Sequence, residues 1–328
     1  MGVAAAAAGV AGSILLACTG QDYALSSSAT TQGNDAAPGA SDADALALDA
    51  EASANQTCST SMPFKSVLPL GGGINTGNYE LQATLTADET TIVFTRSENG
   101  KTAQLYMAHR ASKDDDFGSP KMVDLSCAPA ACTNASAQLS AMGDEMLFAS
   151  DRKGGVAQIF HATRSGDGFA NITLLFTDSD PTYDDYNPFL TNAGELFFTS
   201  QHSPTTENYI FRSLKTANGS FGPAEVFHGL AAPGGASDNA PVLSQDGLTM
   251  YFASTSPNPL NVNPYRIFVM ERPTITSSFG ASTLVNSLQV PGNVNEQPSW
   301  LSPDGCRLYF YSDQNQSGLF DIYVASKL

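Results

Sequence analysis

Ala240-Pro241-Val242-Leu243-Ser244-Gln245-Asp246-Gly247-Leu248-Thr249-Met250-Tyr251-Phe252-Ala253-Ser254 reads as two short strands and the turn between them. An apolar run, a polar Asp-Gly corner and an alternating strand ending in Phe and a small residue make a β-hairpin pattern with its turn at Asp246-Gly247. The anchoring aromatic recurs at Phe94, Phe148, Phe198, Phe252 and Phe310, at spacings of 54, 50, 54 and 58. A second element, aliphatic then aromatic and soon a base, recurs at Leu105-Tyr106, Ile159-Phe160, Ile210-Phe211, Ile267-Phe268 and Ile322-Tyr323. A third opens with Phe117, Phe169, Phe221 and Phe279 and continues into a short Val or Leu strand.

The fifth copy of the third element is missing at the C-terminal end, and its replacement lies at the other end. Phe64-Lys65-Ser66-Val67-Leu68-Pro69-Leu70 repeats it, with Phe64 placed 53 residues, one period, before Phe117. Several short strands per unit at this period predict an all-β chain. The expected fold is a five-bladed β-propeller of four-stranded antiparallel blades, each covering its apolar faces by packing on its neighbours. The N-terminal strand in 62–70 completes the last blade and closes the ring. Five copies plus one closing strand leave no residues for a sixth blade. The recurring aromatics belong to the core between blades.

The copies Leu301-Ser302-Pro303-Asp304-Gly305-Cys306-Arg307-Leu308-Tyr309-Phe310-Tyr311-Ser312-Asp313 and Asp321-Ile322-Tyr323-Val324-Ala325-Ser326 resemble the TolB-type, WD-repeat-like propeller motif. Ser150-Asp151-Arg152-Lys153-Gly154-Gly155 fits it as well, and the resemblance covers residues 62–328. Blades one and three depart from it, with Thr86-Ala87-Asp88-Glu89 and Thr191-Asn192-Ala193-Gly194 at the turn. The resemblance implies a periplasmic or envelope protein that binds other proteins or peptides.

Composition points to the same compartment. The 328 residues carry 15 bases against 32 acids, a formal charge of −17, which leaves no basic field for a nucleic-acid backbone or an anionic bilayer. Charged residues are only 14%, with 28 Gly and 18 Pro. Residues 1–18 read as a signal: an uncharged apolar stretch too short to span a bilayer. Its end, Leu15-Leu16-Ala17-Cys18, resembles the lipobox of bacterial lipoproteins, so Cys18 is the expected lipidation site. The basic n-region usual in such signals is missing, because the first Lys or Arg is Lys65. Residues 19–61 follow as a disordered Ala/Ser/Asp-rich tether with six acids and no base. The chain is therefore expected in the bacterial cell envelope, lipid-anchored and periplasmic or at the cell surface, as a monomer that meets the membrane only through its anchor.

Chemistry is expected on the upper face, where the innermost strands begin. Just before each stands a polar residue, in turn Glu80, Asn134, Asp185, Asp238 and Glu296, with Asp184 adjacent. Pointing inward, these carboxylates form an acidic funnel for a cation or basic peptide; turned sideways, they cap backbone amides of the next blade. The leading expectation is a non-catalytic propeller binding an envelope protein, a peptide or a glycan on this face. The alternative is a secreted carbohydrate-active hydrolase, which needs two upper-face carboxylates about 5 to 10 Å apart, one with a raised pKa. Five-bladed glycoside hydrolases exist, which supports this by fold analogy alone. Glu98, Glu207 and Asp313 are the irregular acids that would break the symmetry. The longest upper loop runs from Thr255 to Tyr265.

No cofactor is implied. His109, His161, His202 and His228 show no metal-ligand spacing, so no metal is expected. With Cys18 lipidated, Cys58, Cys127, Cys132 and Cys306 remain, an even count suited to an oxidising compartment with three possible pairings. Cys127 and Cys132 flank a tight loop that a local bridge would close. A Cys58 to Cys306 bond would staple the N-terminal strand onto the last blade.

Overall fold

The computed structural model describes residues 57–125, 127, 132–152, 154–176, 183–201, 208–227, 236–255, 264–315 and 317–328. The expected signal segment with Cys18 and the expected tether up to residue 56 lie outside the described residues, as do His202, Glu207, His228 and most of the loop after Thr255.

The architecture is a five-bladed propeller of four-stranded antiparallel sheets. Blade 1 comprises β2 (Tyr79–Leu85), β3 (Thr91–Ser97), β4 (Gln104–His109) and β5 (Lys121–Met122). Blade 2 holds β6 (Asn134–Leu139), β7 (Glu145–Ser150), β8 (Gln158–Ser165) and β9 (Gly168–Phe176). Blade 3 holds β10 (Asp185–Leu190), β11 (Glu195–Ser200), β12 (Tyr209–Leu214) and β13 (Glu225–Val226). Blade 4 holds β14 (Asp238–Leu243), β15 (Thr249–Ser254), β16 (Arg266–Glu271) and β17 (Thr283–Leu284). Blade 5 joins the two ends of the chain: β18 (Glu296–Leu301), β19 (Arg307–Ser312) and β20 (Asp321–Ser326) take β1 (Ser66–Pro69) as their fourth strand. Ser66 pairs with Ser326 and Pro69 with Tyr323, and Asn75 holds the far end by donating to the carbonyls of Leu70 and Ile322.

The two aromatic periodicities of the sequence meet across adjacent strands. Phe94 faces Tyr106, Phe148 faces Phe160, Phe198 faces Phe211, Phe252 faces Phe268 and Phe310 faces Tyr323, with ring centroids 5.6 to 6.0 Å apart. Each such pair contributes about 0.5–1.5 kcal/mol beyond the area it buries. The base of the second element stands five residues after its aliphatic and covers the aromatic of the third. Arg110 lies 4.2 Å from the Phe117 ring, Arg164 5.5 Å from Phe169, Arg272 4.6 Å from Phe279, and Lys327 4.9 Å from Phe64. Four of the five blades thus seal the outer corner with a cation over a ring. Each of the five seams carries its own apolar cluster, such as Val93 and Leu105 against Phe148 and Phe160, or Tyr309 and Ile322 against Ile92 and Phe94.

Both disulfides form as the spacing allows. Cys58 bonds Cys306 across 248 residues, and Cys127 bonds Cys132. The first sits on the lower face, beside the turn between β18 and β19, where Asp304 accepts from the amide of Cys306 and its carbonyl accepts from that of Cys58. Gly305 in this turn has φ +70, and a Cβ there would lie 3.0 Å from the Cys58 carbonyl oxygen, so glycine relieves both the backbone strain and the close approach.

Candidate functional site

Every innermost strand carries a one-residue bulge after its second or third residue. In four blades the bulge residue adopts positive φ: Gln82, Ser136, Asn187 and Ala240. The extra residue bends the strand and re-aims side chains toward the axis. The result is a plug of neutral groups. Gln82 donates to Asn187, Asn187 to Asn239 (2.7 Å), Asn239 to Gln297 (2.7 Å) and Tyr311 to Gln297 (2.7 Å). Gln82 reaches Tyr311 at 3.4 Å to close the circuit, and Ser136 donates to Gln82 at 3.1 Å. All five blades contribute, so the central channel is closed at this level.

Above the plug, the ring of polar residues is buried: Glu80, Asn134, Asp185, Asp238 and Glu296 are each 2% exposed or less. Two of the carboxylates are turned sideways and locked. Glu80 accepts from the backbone amide (2.9 Å) and hydroxyl (2.6 Å) of Thr76 and from Arg96 (2.8 Å). Glu296 accepts from the Val290 amide and Gln289, both at 3.2 Å, with Arg266 at 3.4 Å. Burial nonetheless pushes the Glu296 carboxyl up to about 7, against the opposing pull of Arg266. Asp184 accepts from the Ala157 amide at 2.7 Å, and Asp313 from the Asn295 amide at 2.7 Å and its side chain at 2.9 Å. Asp185 is buried, its own amide bonded to the Ala157 carbonyl. Glu98 is exposed.

Asp238 differs from the rest. Burial raises its carboxyl to about 7, with the Ser254 hydroxyl as the one group lowering it, and its Oδ1 has no hydrogen-bond partner among the described residues. A carboxyl whose folded pKa exceeds its unfolded one favours the folded state at low pH, and that contribution is lost as pH rises from about 4 to 7. Asp238→Asn is therefore expected to leave stability at pH 4.5 nearly unchanged and to raise it at pH 8 by on the order of 2 kcal/mol, read from denaturant midpoints.

Below the plug, the channel opens on the face of the Asp-Gly turns. A space of about 30 Å³ against the plug, lined by Pro188, Pro241, Pro298 and Trp300, leads to a mouth of about 270 Å³. The floor of that mouth is the ring Leu85, Leu139, Leu190, Leu243 and Leu301, the last residue of each inner strand, with Phe189 and Trp300, the lone tryptophan. Its rim of Ser140, Thr191, Asn192, Ser244 and Gln245 is neutral, and Glu145 is the charged member among the described lining residues. Sequence reading missed this mouth. The recurrence of Leu at the end of every inner strand was the available signal.

Two buried ion clusters on the same face were also missed. Glu89, 2% exposed, is gripped by Arg307 through both oxygens, accepts from Tyr309 (2.8 Å) and has Arg110 at 3.6 Å, which joins blades 5 and 1. Glu195 likewise receives Arg272 from blade 4 and Arg212 (2.5 Å) from its own blade. Among the described residues no group of three or more His, Cys, Asp or Glu could hold a metal ion.

No family model matches the chain, and no curated protein matches it. Solved structures do. TolB from Acinetobacter baumannii is 16% identical at a TM-score of 0.46, covering 76% of this chain, which spans 55% of that protein. A thermostable family-43 glycoside hydrolase is 12% identical at a TM-score of 0.53, with 79% of this chain and 92% of that one covered. An endo-arabinase from Bacteroides thetaiotaomicron is 11% identical, also at 0.53, with 79% and 97% covered. Likeness at this level of identity establishes the fold alone: this chain is a five-bladed β-propeller.

Proposed function

We propose that the chain is a non-catalytic envelope propeller, held as a lipoprotein through Cys18, that binds a protein, peptide or glycan. The observation that supports this most is the state of the ring carboxylates. All four are buried, and Glu80 and Glu296 are each committed to a backbone amide and an arginine, an arrangement that braces the blades and leaves no exposed pair among these four to act on a sugar. The sequence reading puts the ligand on the upper face, and segments 202–207, 228–235 and 256–263 lie outside the described residues. The lower mouth is a concavity to which all five blades contribute, and its apolar floor and neutral rim suit one aromatic or aliphatic side chain, or the face of one sugar ring.

Trp300 reports on that mouth directly. Titrating the purified chain with envelope-derived peptides and oligosaccharides while following tryptophan fluorescence is expected to give saturable quenching by one class. Trp300→Leu is expected to weaken that binding at least tenfold, read by calorimetry, with a melting temperature within a few degrees of wild type. Binding unaffected by the substitution would move the ligand elsewhere.

The hydrolase reading has one observation in its favour, the Asp238 oxygen with no partner among the described residues and a pKa near neutrality. Turnover of any oligosaccharide in a panel, abolished by Asp238→Asn or Glu296→Gln, would replace the binding reading with this one.

A further inference from the structure

The two disulfides occupy opposite surroundings. Cys58 and Cys306 are 9% and 1% exposed, whereas Cys127 and Cys132 are half-buried at the surface end of blade 2. The second pair also shares its polar neighbours with Arg152, which forms no ion pair with a carboxylate among the described residues, the adjacent Asp151 acting on its charge from a distance. In blade 1, Arg96 lies over the Phe94 and Tyr106 rings and pairs with the carboxylate of Glu80. In blade 2, Arg152 lies over the matching rings of Phe148 and Phe160, 5.0 and 5.1 Å from their centroids, but the ring position opposite it is Asn134. Its hydrogen bonds go to neutral acceptors: Asn134 Oδ1 (2.8 Å), the Leu125 carbonyl (3.3 Å) and Ser150 Oγ (3.2 Å).

Those acceptors are the groups that face the sulfur. Asn134 Nδ2 is 3.5 Å from Cys132 Sγ, and Ser150 Oγ is 4.0 Å from it. With the disulfide intact the Ser150 hydroxyl donates to Asn134 Oδ1 (2.8 Å) and to the Thr133 carbonyl (3.0 Å), and Asn134 Nδ2 also donates to Gln104 (3.0 Å); these are the nearby donors that a Cys132 thiolate would draw toward itself. A thiolate at Cys132 would supply the negative charge that Glu80 supplies in blade 1. The nearby acids Asp151, bound to the Thr133 amide at 2.6 Å, and Asp184, bound to the Ala157 amide, act against it but are turned to the backbone.

From this geometry we propose that Cys127–Cys132 is a thiol–disulfide exchange site, open to a dithiol reductant, with Cys132 as the leaving thiolate and Arg152, Asn134 and Ser150 as the groups that stabilise it. The incoming thiolate attacks Cys127 Sγ and forms a mixed disulfide. The Cys127–Cys132 bond breaks, and its electron pair leaves on Cys132. The second thiol of the reductant then attacks its own sulfur in the mixed disulfide and releases Cys127, so that two electrons pass from the dithiol to the pair and the dithiol leaves as a disulfide. A leaving thiol of lower pKa departs faster, and a neighbouring arginine lowers it.

The test is native-state reduction of the full chain with dithiothreitol, followed by pulsed alkylation and mass spectrometry. Cys127 and Cys132 are expected to be labelled at least a hundredfold faster than Cys58 and Cys306. The Cys132 labelling rate is expected to rise with a midpoint one or more pH units below the value of about 8.5 of a free cysteine. Ser150→Ala, a small change, and Arg152→Met are each expected to raise that midpoint, and a monothiol probe is expected to be trapped on Cys127. Should Arg152→Met fail to fold, the wild-type midpoint decides alone. A midpoint at or above that of a free cysteine, equal reduction of both disulfides, or trapping on Cys132 overturns the proposal.

Discussion

Cys58→Ser combined with Cys306→Ala lowers the free energy of unfolding by about 5 kcal/mol, the value the chain-entropy model assigns to opening a loop of this size. The bond closes 248 residues, nearly the whole propeller. In the unfolded state it forbids most separations of the two ends, and in the folded state it sits where the ends already meet, with the Cys58 amide 2.7 Å from the Asp304 carbonyl. Removal also frees β1, a strand of four residues whose neighbour Phe64 packs into the seam of blades 4 and 5. The same exchange at Cys127 and Cys132 closes a loop of only five residues and is worth about 2 kcal/mol. Guanidinium unfolding of both double variants checks the ranking. A loss under about 1 kcal/mol for the long loop would show that blade 5 closes without help. Amide exchange along β20 locates the change, because β1 covers its outer edge.

Glu89→Ala is expected to destabilise by about 3 kcal/mol, since it removes the carboxylate that pairs with the buried Arg110 and with the largely buried Arg307, leaving Asp304 as the acid acting on the latter. The backbone adds a second, separable contribution. Glu89 has φ +59, a region that costs a side-chain-bearing residue of the order of 1 kcal/mol and glycine almost nothing. Glu89→Gly is therefore expected to be less damaging than Glu89→Ala by about 1 kcal/mol, although both remove the same carboxylate. Denaturant midpoints of the two variants measure this difference. If glycine were the worse of the two, the turn would not be strained as described. The chain accepts the strain because the carboxylate reaches across the ring seam to blade 5, where Arg307 stands 218 residues away.

That residue also shows where the sequence became illegible. At Thr86-Ala87-Asp88-Glu89 the fourth position departs from the Asp-Gly pattern of Asp246-Gly247 and Asp304-Gly305, and by motif alone it looks like decay. In the fold it is the clamp between the first and last blades. Periodic features were readable because each repeats its own evidence: Phe94 to Phe310 and Leu105 to Ile322 mark the paired strands, and Phe64 one period before Phe117 marks the closing strand. Features present once were not. Gln82, Asn187, Asn239 and Gln297 occupy inner strands without a common residue type, and only the bulges bring their amides into one circuit. The carboxylates at the strand starts were found by position, but whether they point inward or sideways depends on Thr76, Val290 and two arginines that no spacing links to them. Trp300 gave no sign in sequence of standing in an opening, because its partners in the mouth come from all five blades.

The staple at Cys58 also settles how the propeller takes a pull. β1 is an edge strand, and tension applied at Ser66 along the blade would unzip its hydrogen bonds to β20 one after another, the weakest way to load a sheet. Tension arriving through the residues before Thr57 never reaches that zipper. It stops at Cys58 and passes through a covalent bond into the corner of β19, beside the seam where Glu89 braces Arg307 and Tyr309. The closing strand is thereby spared mechanical work, and any load applied at Thr57 enters the body on the face that carries the mouth.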